Sequence, residues 1–573
     1  MATRVWLLLL GVYLAITLVL THPLVWQLGT AMPGIPGDQS QYMWCVDTFW
    51  ANVLAGQNPF TTNRVLYPVG ANLMHTGFAP FVSLFAWPFL GHLPLYLSLV
   101  VLVSCPAAAV GMFLLVRALT GSAGAAAIAG LLYGFGPPLI SFAESSHYYK
   151  VVAAALLPYG ALSLVRFLDA GRLWPLLGLS AVTWALVFTD YYVLVMHLLV
   201  VAIVGIICLR ARHVRGVVIA AIANALLAAA LIGWVFPPLD TSDLWGGGYG
   251  VTSRANANLA DFLVPRAENP LLGRLGAWAT DRPNGDVDYF LGWGILALAL
   301  SGVWRRRRSP LIVSLAAAGL ILLVLACGPA IRFGQRELLT QAWTLWHWLA
   351  KLPSLNVLDL PRPFALGAAL SVTALAGVGL ATWRRPWLAV VCGAVLFALE
   401  YGQIGMRLST FPVPAIYQQL AAKPGTRTLL ELPSGITESK GGPSLNLGIN
   451  YMNIQNNPQM YWQTVHRKPR VGAYLSRIPR STYQWFAEQP VISDLFIVTS
   501  TGNEWNGRKV EALPSYPPEV VDRFLRPFNL GYVILQPHPQ QAEFARTVET
   551  LLAGRIAARE VDAAGYVLYT LVQ

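Results

Sequence analysis

The sequence predicts a polytopic α-helical membrane protein with about eleven transmembrane helices and a C-terminal α/β domain outside the cytoplasm. Its composition is the first observation: 55% of the residues are hydrophobic and 12% are charged, whereas soluble domains carry roughly 25% charged residues. The second is a succession of apolar segments, most of them close to the roughly 20 residues that a bilayer span needs. The third is the placement of arginines in short loops between those segments, where orientation signals occur.

The apolar segments follow one another through the first two thirds of the chain. Thr21-His22-Pro23 offers no small-residue cleavage site after the first segment, which is therefore taken as an uncleaved span. Residues 81–90 are apolar but short and contain Pro88, so we expect them to lie at the interface or to re-enter. The predicted spans are 5–20, 95–116, 121–140, 151–168, 174–189, 192–209, 217–236, 290–304, 310–327, 364–383 and 387–404.

Arginines give the orientation of these spans. Arg4 precedes the first span, and the short arginine-rich turns all fall on its side of the membrane in this arrangement. The N-terminus is therefore predicted to be cytoplasmic. The predicted domains are a transmembrane domain, 1–405, and an extracytoplasmic α/β domain, 406–573. Within the first domain the long outer loops are 21–94, 237–289 and 328–361.

Several other classes of protein are disfavoured. The net charge of +12 does not indicate nucleic-acid binding, because the arginines cluster beside spans. The five cysteines show neither metal-ligand spacing nor a disulfide framework. The sequence has no P-loop, Rossmann glycine signature, HExxH motif or G-x-S-x-G elbow, which argues against ATP-driven transport and the common hydrolases.

The first outer loop contains the leading candidate, Asp38. Apolar residues from Gln41 to Leu54 recur at helical spacing and include Trp44 and Trp50, which predicts a helix lying flat at headgroup depth. Asp38 directly precedes this helix and is predicted to be the centre of an outward-facing active site. A simple helix cap is the alternative, since aspartate is a favoured cap. Asp47 on the same helix is expected to be solvated or to face headgroups.

Ionisable residues gather at the outer ends of other predicted spans. Such residues are costly near a bilayer, so they are candidates for function. A carboxylate can deprotonate an acceptor while cations hold a phosphate leaving group. The candidates are Glu144, His147, Lys150, Asp190, Asp286, Asp288 and Arg362.

Each of these residues also has a structural interpretation. His147 is suited to an interfacial hydrogen bond, and Lys150 to a snorkelling position at a helix start. Asp190 occupies so tight a turn that a helix cap is an alternative. The pair Asp286-x-Asp288 resembles a metal-binding pair, although one such pair is expected by chance in a chain with this many acids. Arg362, which lies between two prolines, can meet either a donor phosphate or a lipid headgroup.

The order of these features resembles the GT-C superfamily, polytopic glycosyltransferases that take sugars from polyprenyl-phosphate donors. The resemblance covers the whole chain and is strongest to a bacterial subgroup. The matching motifs are Gly37-Asp38-Gln39-x-Gln41-x-x-Trp44, Asn58-Pro59-Phe60 and Tyr67-Pro68-x-Gly70-x-Asn72 in the first loop, and Gln463-Thr464-Val465-His466-Arg467-Lys468-Pro469 with Gly472-Ala473-Tyr474-Leu475-Ser476-Arg477 in the last domain.

The resemblance implies roles for several residues. Asp38 corresponds to the superfamily's first-loop acid, the catalytic base or acceptor-binding residue. Arg362 corresponds to an arginine that meets the lipid phosphate, with Lys150 and His147 as further donor-phosphate candidates. The substrate, acceptor or metal candidates are Asp190, Asp286, Asp288, Glu144 and Gln41.

Two departures from the superfamily's patterns limit what can be transferred. The Asp-Glu pair of the protein O-mannosyltransferases is replaced here by Asp38-Gln39. The Asp-x-Asp of the oligosaccharyltransferases is missing from the same loop. Protein glycosylation is therefore not indicated, and a divalent metal, Mg²⁺ or Mn²⁺, is left open.

The expected function is that of a bacterial plasma-membrane glycosyltransferase. It would transfer a sugar, with inversion, from a polyprenyl-phosphate sugar donor to an outer-surface glycan, lipid or other acceptor, with Asp38 as base. A flippase or transporter of lipid-linked sugars is one alternative, although it would be expected to have inverted repeats and mid-membrane charges. A non-catalytic membrane scaffold with a glycan-binding outer domain is the other.

Overall fold

The fold is mainly helical, with small sheets. The computed structural model describes residues 3–234, 256–265, 269–276, 288–340, 343–349, 351–352, 358, 360–433, 436–438, 456–498, 504–505, 508–510 and 512–572. Much of the predicted outer loop 237–289, including Asp286, lies outside the described residues.

The helices are given in chain order. Those in the first 405 residues are α1 (Thr3–Leu20), α2 (Gln39–Leu54), α3 (Pro80–Leu84), α4 (Leu93–Thr120), α5 (Ala123–Gly134), α6 (Pro137–Glu144), α7 (Tyr148–Ala170), α8 (Trp174–Val187), α9 (Tyr191–Cys208), α10 (Ala211–Trp234), α11 (Gly273–Gly276), α12 (Trp293–Arg305), α13 (Pro310–Ala326), α14 (Leu345–Leu349), α15 (Ala365–Ala381) and α16 (Pro386–Glu400). The later ones are α17 (Ala415–Ala422), α18 (Asn456–His466), α19 (Arg480–Ala487), α20 (Pro490–Val498), α21 (Pro518–Phe528) and α22 (Gln541–Leu551).

The strands are short. They are β1 (Ala31–Pro33), β2 (Thr61–Thr62), β3 (Ala71–Asn72), β4 (Ile331–Phe333), β5 (Arg336–Leu339), β6 (Leu408–Thr410), β7 (Thr428–Leu432), β8 (Ile436–Glu438), β9 (Ala473–Leu475), β10 (Glu504–Trp505), β11 (Arg508–Lys509), β12 (Leu530–Leu535), β13 (Ile556–Val561) and β14 (Val567–Leu571).

The apolar helices make this chain a multi-pass helical membrane protein. Within the described residues, six helices are long and apolar enough to cross a membrane: Leu93–Thr120, Ala123–Glu144, Tyr148–Ala170, Tyr191–Cys208, Ala211–Leu231 and Arg362–Ala381. Five shorter apolar helices are Trp6–Leu20, Trp174–Val187, Trp293–Arg305, Pro310–Ala326 and Pro386–Glu400. All lie where the sequence predicts spans, and the count of eleven crossings stays a prediction.

The chain divides into two compact units, and the division differs from the predicted one. Among the described residues, the first unit comprises 3–36, 79–234 and those within 256–410, and the second comprises 37–78 and those within 411–572. The sequence assigned all of the first outer loop, 21–94, to the transmembrane domain. Residues 37–78 of that loop instead group with the C-terminal segment by their tertiary contacts, and the predicted domain bounds stay a prediction.

In the first unit α15 is the central helix and α10 is peripheral. Of the apolar span that contains α15, 89% is buried within the protein, against 6% for that of α10. Gly302 on α12 and Gly379 on α15 let these two helices approach closely. A Cβ at Gly302 would meet the Leu375 carbonyl oxygen and, at 2.8 Å, the Gly379 nitrogen. Small residues are used in this way where membrane helices pack through their backbones.

The second unit is built on a four-stranded sheet in the order β13-β14-β12-β7. β7 and β12 pair in parallel, and the other two pairs are antiparallel. Both runs that the sequence predicts as strands, Thr428–Leu432 and Tyr532–Leu535, lie in this sheet. A cluster with α17 and α18 buries one side of it and contains Ile416, Tyr417, Leu420, Leu429, Trp462, Tyr532, Ile534 and Leu568.

The helix of the first outer loop, α2, belongs to this second unit and packs against α18. It is helical where predicted, but a flat position in the headgroups is wrong for Trp44. The Trp44 side chain is fully buried, and its indole Nε1 donates a hydrogen bond to the Gln463 side chain. The spacing of apolar residues predicted the helix, and its apolar face is covered by protein instead of headgroups.

The close approach of α12 and α15 gives a first prediction. Gly302→Leu should lower the free energy of unfolding by about 1–3 kcal/mol, because added side-chain atoms would overlap the α15 backbone. Thermal unfolding of the full-length protein in nanodiscs measures the change. Gly11→Leu is the matched control, since a Cβ at Gly11 has no neighbour within 4 Å. Equal melting temperatures for the two variants would contradict the packing argument.

Candidate functional site

Asp38 immediately precedes α2, but its side chain does not cap the helix. Asp38 occupies the N-cap position with helical φ and ψ, and no side-chain cap hydrogen bond is present. The structure therefore contradicts the alternative in which the Asp38 side chain only caps α2. Instead, its Oδ1 accepts a hydrogen bond from the Tyr474 hydroxyl at 3.3 Å, and the side chain is half-buried.

Gln41 holds the same tyrosine from the next turn of α2. Its Nε2 donates to the Tyr474 carbonyl oxygen at 3.1 Å, and its side chain is almost fully buried. Residues three apart lie on one face of a helix, so Asp38 and Gln41 present their polar atoms to one partner. Tyr474 lies in β9 and is 4% exposed. Gln41 is thus a buried structural contact in this unit.

The side chain of Gln463, on α18, connects three segments. Its Oε1 accepts a hydrogen bond from Trp44 Nε1 on α2, and its Nε2 donates to the carbonyl oxygens of Arg64 and Lys468. Gln463 is fully buried, so each of these bonds also satisfies a polar group that water does not reach. The first loop is thereby held to the C-terminal segment at both α2 and Arg64.

A buried ion pair lies beneath this contact. The Arg470 guanidinium donates to Glu431 Oε2 on β7 and to Gln459 Oε1 on α18, and the Tyr417 hydroxyl donates to Glu431 Oε1 at 2.9 Å. Burial raises the pKa of the Glu431 carboxyl, and the adjacent Arg470 charge opposes that rise. The Arg470 backbone also pairs with the first loop, through Arg64 O at 2.8 Å and Tyr67 N at 3.0 Å.

His466 is the titratable neighbour of this network. It is fully buried, and its Nδ1 accepts the Lys468 backbone N–H at 3.1 Å, which places the proton of the neutral ring on Nε2. Burial lowers the pKa of His466 well below 6.5, and the charges of Arg470, Arg64 and Lys468 lower it further. The folded unit therefore keeps this imidazole neutral.

Asp47 is an internal ion-pair residue, and the expectation that it is solvated or faces headgroups is wrong. It is 8% exposed, and its Oδ2 lies 2.7 Å from Arg64 Nη1. Thr48 Oγ1 accepts from the same nitrogen at 3.2 Å. The sequence pattern could not reveal this pairing, because Arg64 lies on the far side of a turn from α2.

In the first unit Lys150 and Asp190 form an ion pair. Lys150 Nζ lies 2.7 Å from Asp190 Oδ2, both residues are largely buried, and the ammonium lies 4.6 Å from the Tyr192 ring centroid. Asp190 Oδ1 also accepts the Val193 backbone N–H, so this carboxylate caps α9 as the structural interpretation held. Lys150 does not extend to solvent, which rules out the snorkelling interpretation in this structure.

His147 and Glu144 flank the turn between α6 and α7. His147 Nδ1 lies 2.9 Å from Ser145 Oγ. Glu144 is buried, and its Oε1 accepts from Gln403 Nε2 at 2.6 Å. The Glu144 carbonyl oxygen accepts the Ile35 backbone N–H at 2.9 Å. Glu144 therefore takes part in holding the chain that leaves β1.

Asp288 is buried just before α12. Its Oδ1 accepts the Phe290 backbone N–H at 3.0 Å, and its carbonyl oxygen accepts from Ser141 Oγ at 3.1 Å. The other member of the proposed metal pair, Asp286, lies outside the described residues. Among the described residues, no group of three or more His, Cys, Asp or Glu side chains is arranged to hold a metal ion.

Arg362 begins the short 3₁₀ turn, Arg362–Phe364, that leads into α15. Its side chain is half-buried. Within the described part of the chain, no carboxylate forms an ion pair with it, unlike Lys150. A guanidinium next to the start of a helix combines two positive contributions, its own charge and the partial charge of the helix N-terminus.

The predicted site residues thus fall into separate local groups. In the second unit Asp38 and Gln41 meet at Tyr474. In the first unit Lys150 meets Asp190, whereas Glu144, Asp288 and Arg362 each have a different local environment. The motifs that contain Tyr474 and Gln463 are visible in the sequence, but the roles of these two residues follow only from their tertiary contacts.

Comparison with known proteins identifies the family. A family model described as a domain of unknown function, DUF6311, matches residues 8–356, more than half of the chain. The chain belongs to the DUF6311 family. No curated protein matches this DUF6311 sequence.

Solved structures give the fold of this DUF6311 protein. The cryo-EM structure of the arabinofuranosyltransferase AftD from mycobacteria is 13% identical, with a TM-score of 0.51, over 100% of this chain and 40% of that chain. A mutant of AftD gives 15% identity and a TM-score of 0.56, with 42% of that chain covered. ArnT from Cupriavidus metallidurans, bound to undecaprenyl phosphate, is 13% identical with a TM-score of 0.50, over 100% of this chain and 99% of that chain.

These are GT-C glycosyltransferases, and the DUF6311 chain has a GT-C-like fold. The resemblance that the sequence indicated is thus confirmed at the level of the fold. The chain spans about two fifths of the length of AftD and nearly all of ArnT. At this identity the likeness describes the fold alone.

The Lys150–Asp190 pair gives a second prediction. Asp190→Asn should lower the free energy of unfolding by roughly 3 kcal/mol, because it leaves a buried ammonium without its counter-charge. Asparagine can still cap α9, so the cap is kept. Thermal unfolding in nanodiscs measures the loss, and adding Lys150→Met should restore part of it. A melting temperature for Asp190→Asn equal to that of the wild type would show that the pair does not stabilise the fold.

His466 gives a pH-dependent prediction. Because its pKa is lowered in the folded state only, the unfolded chain binds an extra proton as pH falls below about 6.5. His466 should therefore reduce stability by up to about 1.4 kcal/mol per pH unit on the acidic side, with no such effect above pH 7. His466→Gln should lose this slope.

The measurement is hydrogen–deuterium exchange of β7 and β12 amides in the full-length protein, corrected for intrinsic exchange rates. Glu431 titrates in both proteins, so the difference between their slopes reports His466. Equal slopes between pH 7 and 5.5 would be inconsistent with a neutral buried imidazole.

Proposed function

We propose that this protein is a membrane glycosyltransferase. It transfers a sugar from a polyprenyl-phosphate donor to an outer-surface glycan, lipid or other acceptor in a bacterial plasma membrane, with inversion at the anomeric carbon. The N-terminus lies in the cytoplasm and the domain formed by residues 406–573 lies outside it. The fold is consistent with this activity, and ArnT, which has a similar fold, binds undecaprenyl phosphate.

The observation that carries the proposal is the state of Asp38. This carboxylate is placed at the start of a buried helix, is not used as a cap, and is held by a tyrosine hydroxyl while remaining half-buried. Asp190, by contrast, caps α9 through its side chain. A carboxylate that a tyrosine hydroxyl orients, and that stays partly accessible, is suited to act as a general base.

Arg362 is the proposed ligand of the donor phosphate. Its guanidinium has no carboxylate partner among the described residues and precedes a 17-residue helix, α15. Lys150 is a weaker candidate because Asp190 already balances its charge. His147 remains a candidate hydrogen-bond donor to the same phosphate.

The proposed reaction is a single displacement. Asp38 takes the proton of an acceptor hydroxyl as the acceptor oxygen forms a bond to the anomeric carbon of the sugar. The bond from that carbon to the phosphate oxygen breaks, and the polyprenyl phosphate leaves with the electron pair. Arg362 then faces increased negative charge, which favours departure of the leaving group. These steps are assigned to protein groups, and the part of a divalent metal, Mg²⁺ or Mn²⁺, stays open.

The test compares variants of the full-length protein in nanodiscs with a panel of radiolabelled polyprenyl-phosphate sugars and envelope material as acceptor. Asp38→Asn should reduce turnover by at least about 10²-fold through loss of the base. Arg362→Gln should reduce kcat by about 10²-fold or more at saturating donor through loss of transition-state charge stabilisation. Both variants should melt near the wild-type temperature.

Asp522→Asn is the matched control. Asp522 is an exposed acid on α21 and pairs with Arg555, so this variant should keep wild-type turnover. Undiminished turnover in Asp38→Asn would overturn the role of Asp38. Absence of turnover with every donor, combined with equal transbilayer movement of a fluorescent lipid-linked sugar in wild type and Asp38→Asn, would instead favour a flippase.

A further inference from the structure

Tyr474 makes two contacts with the first turn of α2 that differ in kind. Its hydroxyl donates to Asp38 Oδ1, and its carbonyl oxygen accepts from Gln41 Nε2. The first contact acts on the carboxylate, and the second fixes the backbone that carries the tyrosine. Together they set the position of the ring relative to Asp38.

The surroundings of Tyr474 restrict its movement. The residue is 4% exposed and lies in β9, which pairs in parallel with β8 through Tyr474 and Thr437. Gln41 is 1% exposed, so its amide has no water with which to replace the Tyr474 carbonyl. Upstream, Gln463 and Arg470 hold the same C-terminal segment to Trp44 and Arg64.

We propose that Tyr474 is a positioning residue for Asp38, acting through its hydroxyl on the carboxylate that abstracts the acceptor proton. This inference rests on the proposed function only for its catalytic consequence. The hydroxyl restrains the rotation of the carboxylate by holding Oδ1 toward the tyrosine. A donated hydrogen bond also favours the ionised form of a carboxylate, the form that a general base needs.

The structure provides a matched control for removal of this hydroxyl. Tyr569, in β14 of the same unit, is also buried and donates its hydroxyl to a carboxylate oxygen, Glu549 Oε1, at 2.7 Å. Tyr569→Phe and Tyr474→Phe therefore remove the same group from the same type of bond. Only Tyr474 contacts Asp38 in this comparison, so a general loss of stability would affect both variants.

The experiment uses the full-length protein in nanodiscs and has two readouts. The first is the pH dependence of Asp38 modification by a water-soluble carbodiimide and an amine, followed by peptide mass spectrometry. This coupling requires the protonated carboxyl and does not depend on turnover. The second is the pH–rate profile for kcat/KM with the best donor.

Tyr474→Phe should move the midpoint of Asp38 modification to higher pH by roughly half a unit or more, since one hydrogen bond to a charge is lost. The acidic limb of the pH–rate profile should move by the same amount, and kcat should fall more than KM rises. Gln41→Met releases the Tyr474 carbonyl but keeps the hydroxyl. It should move the modification midpoint and the acidic limb of the pH–rate profile in the same direction as Tyr474→Phe, but by a smaller amount. Tyr569→Phe should leave both at their wild-type positions.

The outcomes separate the two proposals. A modification midpoint in Tyr474→Phe equal to that of the wild type would overturn the positioning role, whatever the turnover. An equal displacement of the midpoint in Tyr569→Phe would also overturn the positioning role. A displaced midpoint in a protein that shows no turnover with any donor would support the positioning role and count against the transferase function.

Discussion

The buried ion pair between Arg470 and Glu431 is the interaction on which the second unit depends. Glu431 lies in β7, which pairs in parallel with β12, and Arg470 lies in the segment that follows α18. Two charges removed from water are tolerated only when their remaining hydrogen-bonding groups are satisfied, here by Tyr417 and Gln459. Because the Arg470 backbone pairs with Arg64 and Tyr67, the same residue joins the sheet to the first loop.

This connection explains how a helix as polar as α2 can be buried. Gln39, Ser40, Gln41, Asp47 and Thr48 are all buried along it, which would be costly without partners. Gln41, Asp47 and Thr48 are paired with Tyr474 and Arg64, and Trp44 is paired with Gln463. The contacts made for stability also determine where the N-terminal turn of α2, and with it Asp38, is held within this unit.

The charged side chains of the first unit differ in whether they have an ion-pair partner. Lys150 and Asp190 neutralise each other, and the same aspartate caps a helix, so this pair is explained by folding. Arg362 is stiffened by prolines at the start of a largely buried helix and has no carboxylate partner among the described residues. The contrast between a satisfied and an unsatisfied cation, rather than charge alone, separates the candidates for phosphate binding.

The sequence by itself determined the apolar helices, the α2 helix and the strands β7 and β12, because each follows from a local period of apolar residues. It also singled out Asp38, through a motif. It did not determine the partner of Asp38, since Tyr474 is 436 positions away, nor the burial of Trp44 or the pairing of Asp47 with Arg64. A local period shows that a face is buried but not what covers it, and only tertiary packing decided that.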